Sequence, residues 1–109
     1  MPASTEIDAG APVVTLINVF TVRPADQDRL VRLLERATED VMRHRPGFVS
    51  ANIHRGLDGT SVANYAQWAS RADFEAMLAD GAAREHMAEA TELARVAPGL
   101  YEVVSVHHR

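Results

Sequence analysis

The sequence contains no cysteine. Disulfide frameworks, thiolate nucleophiles and thiolate metal sites are excluded together, and a reducing, cytoplasmic setting is expected. Positive charge is scarce as well. Lys and Arg number 11 against 15 Asp and Glu, the formal net charge is −4, and the densest basic run is the short Arg43-His44-Arg45. A nucleic-acid footprint is therefore missing. No apolar run approaches the roughly 20 residues of a membrane-spanning helix, and Met1 to Pro12 lack the basic start and apolar core of a secretory signal, so no membrane is expected as a partner. The glycine-rich phosphate loops, the paired-histidine and paired-cysteine metal patterns and the nucleophile elbow are all lacking. Neither a bound nucleotide nor a structural metal is indicated, and His107-His108 reads as an exposed terminal pair.

At 109 residues the chain is long enough for one domain, which buries roughly 65% of its unfolded surface. A core this modest, asked also to enclose a ligand, gains from association, and a homo-oligomer is expected. Residues 1–12 read as a flexible arm and 13–109 as the domain.

Val13 to Val22 is rich in β-branched residues and predicts a strand whose one face carries Val14, Leu16, Asn18, Phe20 and Val22. Pro24 and two early acidic residues then open an amphipathic helix with Leu30, Leu33, Leu34, Ala37 and Val41 inward. Asp28/Arg32, Arg36/Asp40 and Glu39/Arg43 are spaced to pair along its outer side. Pro46-Gly47 ends it. Phe48 to Arg55 predicts the second strand, and Leu57-Asp58-Gly59-Thr60 a tight hairpin into a third. Ser70 with Asp73 has the spacing of a capping box, followed by a short helix burying Phe74, Met77 and Leu78. Ala82 to Ala94 predicts another helix, with Ala83, His86, Met87, Ala90 and Ala94 inward. Pro98-Gly99 is read as its stop, and Leu100 to His107 as the last strand. The fold class expected from this order is α+β: a ferredoxin-like antiparallel four-stranded sheet with helices on one face. The other face, with Ile17, Val19, Ile53, Ala63 and Tyr65 assigned to it, is too apolar for water, which predicts two sheets packed face to face as a dimeric α/β barrel.

The third strand, Ser61 to Ala69, carries the chemistry. Alternation puts Val62, Asn64, Ala66 and the single tryptophan, Trp68, on one side, so an amide and an indole share an apolar face. An unpartnered buried amide costs about 1–3 kcal/mol, so the protein or a ligand must satisfy it. Asn18 interrupts the first strand's apolar face in the same way. Between sheet and helices this predicts a pocket formed by Asn18, Asn64, Trp68, Phe74, Met77 and His86. Asn64 and Trp68 are four positions apart in the strand, about 13 Å along it, a span suited to a flat multi-ring aromatic. His86 and His54 are the titratable candidates for a base.

Pro46-Gly47-Phe48, then Asp58-Gly59, then Asn64-Tyr65-Ala66-Gln67-Trp68 resemble the antibiotic biosynthesis monooxygenases, from Val14 to about Val104. The Asn-x-x-x-Trp spacing and Asn18 within Leu16-Ile17-Asn18-Val19-Phe20 resemble the anthrone-oxygenase branch. That resemblance implies a homodimer and a cofactor-independent oxidation of a polycyclic aromatic polyketide to a quinone, with O2 as co-substrate. Taken together with the pocket reading, it gives Asn18, Asn64, Trp68 and His86 as the expected catalytic residues and Phe20, His54, Phe74 and Met77 as substrate-binding. Phe74 departs from a tyrosine found in some members, so no proton relay is carried over there. Asn18, Trp68 and His86 also resemble the haem-degrading branch, with His86 as axial ligand, and a ligand-binding barrel without catalysis is the non-enzymatic alternative.

Overall fold

The computed structural model describes residues 3–109. Its sheet is built from β1 (Val14–Val22), β2 (Phe48–Arg55), β3 (Ser61–Trp68) and β4 (Ala94–Tyr101), all antiparallel, in the order β2-β3-β1-β4. One face is covered by α1 (Gln27–Asp40), α2 (Arg71–Leu78) and α3 (Gly81–Leu93). This is the ferredoxin-like arrangement expected.

Each connection has a local cause. Pro24 sits in a one-turn 3-10 helix, Pro24–Asp26, where its missing N–H costs nothing, and Arg23 pairs with Asp26 at 2.8 Å. Gln27 is buried at the start of α1, and its amide nitrogen donates to the carbonyls of Gly56 (2.9 Å) and Ser61 (3.0 Å), fastening the helix to the β2–β3 hairpin. In that hairpin Gly59 takes φ +80°, and the Thr60 N–H and Ser61 hydroxyl donate to Asp58, holding its carboxyl below the ordinary value. Ser70 caps α2 by accepting from the Asp73 N–H at 3.1 Å, as the spacing predicted. Asp80 caps α3 in the same manner and is also held by Arg45 at 2.7 Å.

Four expectations need correction. Asp28 does not pair with Arg32; it reaches across to Arg55 of β2 at 2.8 Å, while Arg43 and Glu39 pair as expected. α1 ends at Asp40 and gives way to a 3-10 turn, Met42–His44. α3 runs into β4 without a loop, so the last strand is Ala94–Tyr101 rather than Leu100 to His107, and residues 102–109 have no regular secondary structure. Pro98 is tolerated inside that strand because β4 is the sheet edge and needs no N–H on its outer side.

The fourth correction concerns β2. A register shift between Phe48 and Ser50 places Phe48 opposite Trp68 but Ser50 opposite Gln67, so Val49 is the extra residue of a bulge. One inserted residue reverses the facing of everything after it. Ile53 therefore lies opposite Asn64, on the helix side, and packs on the core, whereas His54 lies opposite Ala63 on the open face. Simple alternation from Phe48 gives the reverse.

The open face is partly roofed by the chain's own beginning. Thr5 donates to Asn52 Oδ1 at 2.6 Å, and Gln67 Nε2 donates to the Glu6 carbonyl at 2.7 Å. Ser50 donates to Gln67, and Asn52 to the Tyr65 carbonyl, so both amides are spent on the sheet and the arm.

Beneath the helices the core falls into two clusters. One gathers Phe20, Val22, Leu30, Leu33, Val62 and Ala90, the other Leu16, Ala66, Trp68, Phe74, Met77 and Ala83. The division follows the ladder: Phe20 faces Val62, Leu16 faces Ala66, and the pair between them is Asn18 and Asn64. Polarity at that one rung splits the core, and the space left open there is the site.

Candidate active site

A cavity of about 380 Å³ lies between sheet and helices, within the range of small-molecule sites. Leu16, Asn18, Phe20, Asn64, Ala66, Trp68, Pro98 and Leu100 line its floor. Its roof is Leu34 and Thr38 from α1, Phe74 and Met77 from α2, and His86, Met87 and Ala90 from α3. Seven of the eight residues predicted for the site line this one cavity. His54 alone is elsewhere: it is exposed on the opposite face, its Nδ1 3.0 Å from the Asn52 carbonyl, put there by the bulge.

The polar groups in the cavity are few and unspent. Asn18 Oδ1, Asn64 Oδ1 and His86 Nδ1 are buried without a hydrogen-bond partner among the described residues. The hydroxyls of Thr38 and Thr91, which also line the cavity, donate to the helix carbonyls of Leu34 (2.8 Å) and Ala88 (2.9 Å). The threonines are thus satisfied, while two amide oxygens and one imidazole nitrogen are left to bond with a bound molecule or with water. His86 is the only titratable side chain among the described residues of the wall.

Trp68 is 2% exposed and held edge-on by two phenylalanines, Phe48 at 5.5 Å and 89° and Phe74 at 6.2 Å and 67°. Such a cage fixes the indole plane. Phe48 was not among the residues expected at the site. Its signal was there in part, since a bulky aromatic directly after Pro46-Gly47 starts a strand, but its register against Trp68 follows from the pairing of β2 with β3. Pro98 and Leu100 also escaped notice, because β4 was placed too late in the chain.

No group of three His, Cys, Asp or Glu that could hold a metal ion occurs among the described residues, and no helix among them is long and apolar enough to cross a membrane.

The fold and this site define a small ferredoxin-like α+β domain with an apolar small-molecule cavity between sheet and helices. Residues 13–99 match the family model for antibiotic biosynthesis monooxygenases, and the chain belongs to that family. It is 45% identical over 97 residues to tetracenomycin-F1 monooxygenase of Streptomyces glaucescens, an alignment covering 89% of this chain and 87% of that one. The crystal structure of SnoaB, a cofactor-independent oxygenase from Streptomyces nogalater, superposes with a TM-score of 0.76 at 28% identity, covering 88% of this chain and 97% of SnoaB. A Mycobacterium tuberculosis protein shares the fold at 20% identity, with a TM-score of 0.75 over 88% of this chain and 99% of that one.

Proposed function

We propose that this protein is a cofactor-independent monooxygenase that oxidises a polycyclic aromatic polyketide of the anthrone or dihydroquinone type to a quinone. The observation that carries the reading is the cavity itself: apolar, bounded by a fixed indole, and holding two neutral amides and one imidazole with unspent hydrogen-bonding atoms. The similarity to tetracenomycin-F1 monooxygenase and to SnoaB supports it.

Triplet dioxygen reacts slowly with closed-shell molecules, but a deprotonated anthrone can give it one electron. The work left to the protein is to take a proton and to stabilise the anion. His86 accepts the proton from the ring carbon, being the one group on the wall able to do so. The enolate oxygen then carries the charge, and the Asn64 N–H donates to it, an interaction worth roughly 3–4 kcal/mol in a dry site. Asn18 orients the carbonyl. One electron passes to O2, the two radicals combine, and the carbon–oxygen bond gives a peroxide. The Trp68 N–H, which makes no hydrogen bond with any described residue, is the donor for that peroxide. Loss of the second hydrogen of the same carbon as a proton, with cleavage of the O–O bond, leaves a ketone and water. The balance is one CH2 and one O2 to one C=O and one H2O, with no external reductant. Phe20, Phe74 and Met77 hold the ring faces.

The same reading includes a homodimer and a cytoplasmic setting. The open face supports association: Val19 and Tyr101 are 42% and 54% exposed there. The test of function is oxygen uptake by the purified protein with an anthrone and nothing else added; absence of uptake with every hydroxylated three- or four-ring anthrone tried overturns it.

A further inference from the structure

The sequence has four methionines, Met1, Met42, Met77 and Met87, and the last three all line the cavity. They are not spread along it. The core cluster built on Leu16, Ala66, Trp68 and Phe74 contains Met77 and has Met42 and Met87 packed against it. The cluster built on Phe20, Val22, Leu30 and Val62 draws only on leucine, isoleucine, valine, alanine and phenylalanine among the described residues. Three separate elements supply the methionines: Met42 comes from the 3-10 turn after α1, Met77 from α2 and Met87 from α3. Methionine is a flexible filler of irregular gaps, and filling alone does not favour one end of a core over the other. Their convergence brings three thioether sulfurs to the end of the cavity that holds the Trp68 indole. A thioether is neutral at any pH and keeps a nucleophilic lone pair, which peroxides oxidise to a sulfoxide. Met77 is 6% exposed and the other two are half-buried.

We propose that Met42, Met77 and Met87 are a modification site, the acceptors of the outer oxygen of a hydroperoxide held in the cavity, and that their oxidation limits the number of turnovers. The inference rests on the reading of the cavity as the place where a substrate peroxide forms. The step competes with the loss of water that gives the ketone. A sulfur lone pair attacks the outer peroxide oxygen, the O–O bond breaks with its electron pair going to the inner oxygen, and the proton of the transferred OH passes to that alkoxide. One R–O–OH and one thioether become one R–OH and one sulfoxide. Sulfur loses two electrons, the peroxide gains them, and no other oxidant or reductant is consumed. Thioethers react slowly with peroxides in dilute solution, but a group confined in the same cavity acts at an effective concentration far above that of a solute. Each sulfoxide sets a polar S=O into the apolar wall around Trp68, against the ring faces the cavity is built to hold.

Isotopically heavy O2 distinguishes oxygen transferred in turnover from earlier oxidation of the sample. The protein turns over a hydroxylated anthrone under heavy O2, with catalase and free N-acetylmethionine present to report leaked peroxide, and its peptides are weighed by mass spectrometry. Heavy sulfoxide appears at Met42, Met77 or Met87 at a level at least about tenfold above that in N-acetylmethionine, rises with turnovers and tracks the activity lost. Replacing all three by leucine, a swap that keeps volume, raises about fivefold or more the turnovers completed before half the activity is gone, whatever the starting rate. Should the triple replacement not fold, the labelled peptides decide alone. Oxygen uptake without heavy sulfoxide at these positions, equal labelling of N-acetylmethionine, or a folded triple variant that fails after the same number of turnovers overturns the proposal. A second arm needs no turnover. Cumene hydroperoxide, an aromatic hydroperoxide, is given to the resting protein with and without an anthraquinone at a concentration that saturates its effect on the fluorescence of Trp68, the only tryptophan in the chain. It oxidises the same methionines, and the quinone protects them about tenfold; no protection places the reaction outside the cavity and overturns the proposal. Protected oxidation in this arm without oxygen uptake in the first removes the catalytic reading and leaves the thioethers as acceptors, and failure of both arms removes both.

Discussion

Asn18 and Asn64 face each other directly across the β1–β3 ladder, and neither amide oxygen has a partner among the described residues. Burial without a bond costs about 1–3 kcal/mol per group, so the rung destabilises the empty protein at the place where a substrate completes it. Asn64→Leu and Asn18→Leu should each raise the melting temperature, by about 5 °C or more for a domain of this size, while depressing turnover. Thermal unfolding followed by circular dichroism checks this. A fall in melting temperature in both variants would mean that the amides support the fold.

The indole of Trp68 has two separable duties. Trp68→Phe keeps a ring between Phe48 and Phe74 and removes the N–H; Trp68→Ala removes both and leaves a hole. With donation to a peroxide, Trp68→Phe loses about one to three orders of magnitude in kcat with little change in KM. Full activity in Trp68→Phe, with binding lost in Trp68→Ala, would leave the indole as a platform only.

How these residues come together was only partly legible in the sequence. The alternation along β3 carried the Asn64/Trp68 face, since a half-buried strand repeats every two residues whatever its neighbours do. The Asn18–Asn64 rung was out of reach because β1 and β3 are separated by a helix and a strand, and no local pattern sets their register. His54 and Ile53 exchanged faces for a related reason: the bulge at Val49 shows only in the pairing with β3. Pro98-Gly99 reads locally as a stop, and only the edge position of β4 makes it compatible with a strand. The docking of Thr5 and Glu6 on the open face likewise depends on long-range partners, Asn52 and Gln67, that no sequence window contains.

His86→Gln retains shape and hydrogen bonding but cannot accept a proton at neutral pH. Turnover should fall by about two to four orders of magnitude, with affinity for an unreactive quinone unchanged, and added imidazole should restore part of the rate. Deuteration of the reacting carbon should slow the variant more than the wild type. Haem titration runs beside it: a stoichiometric Soret band that shifts on His86→Gln would favour the haem-degrading alternative.

The open face should close on a second copy. Tyr65→Arg places an unpaired charge where the hydroxyl is already buried, at a cost of about 3–5 kcal/mol, and should dissociate or unfold the protein. Light scattering at micromolar concentration gives the mass, and a monomeric wild type would contradict the dimer.

The most direct test is oxygen consumption by the dialysed protein given a hydroxylated anthrone, without flavin, metal or reductant, with absorbance recorded in parallel. The account predicts one O2 taken up for each quinone formed, and a rate lowered about ten- to a thousandfold by Asn64→Ala with at most about a tenfold loss of affinity. Oxygen uptake that requires added haem, or that is the same in Asn64→Ala as in the wild type, would contradict it.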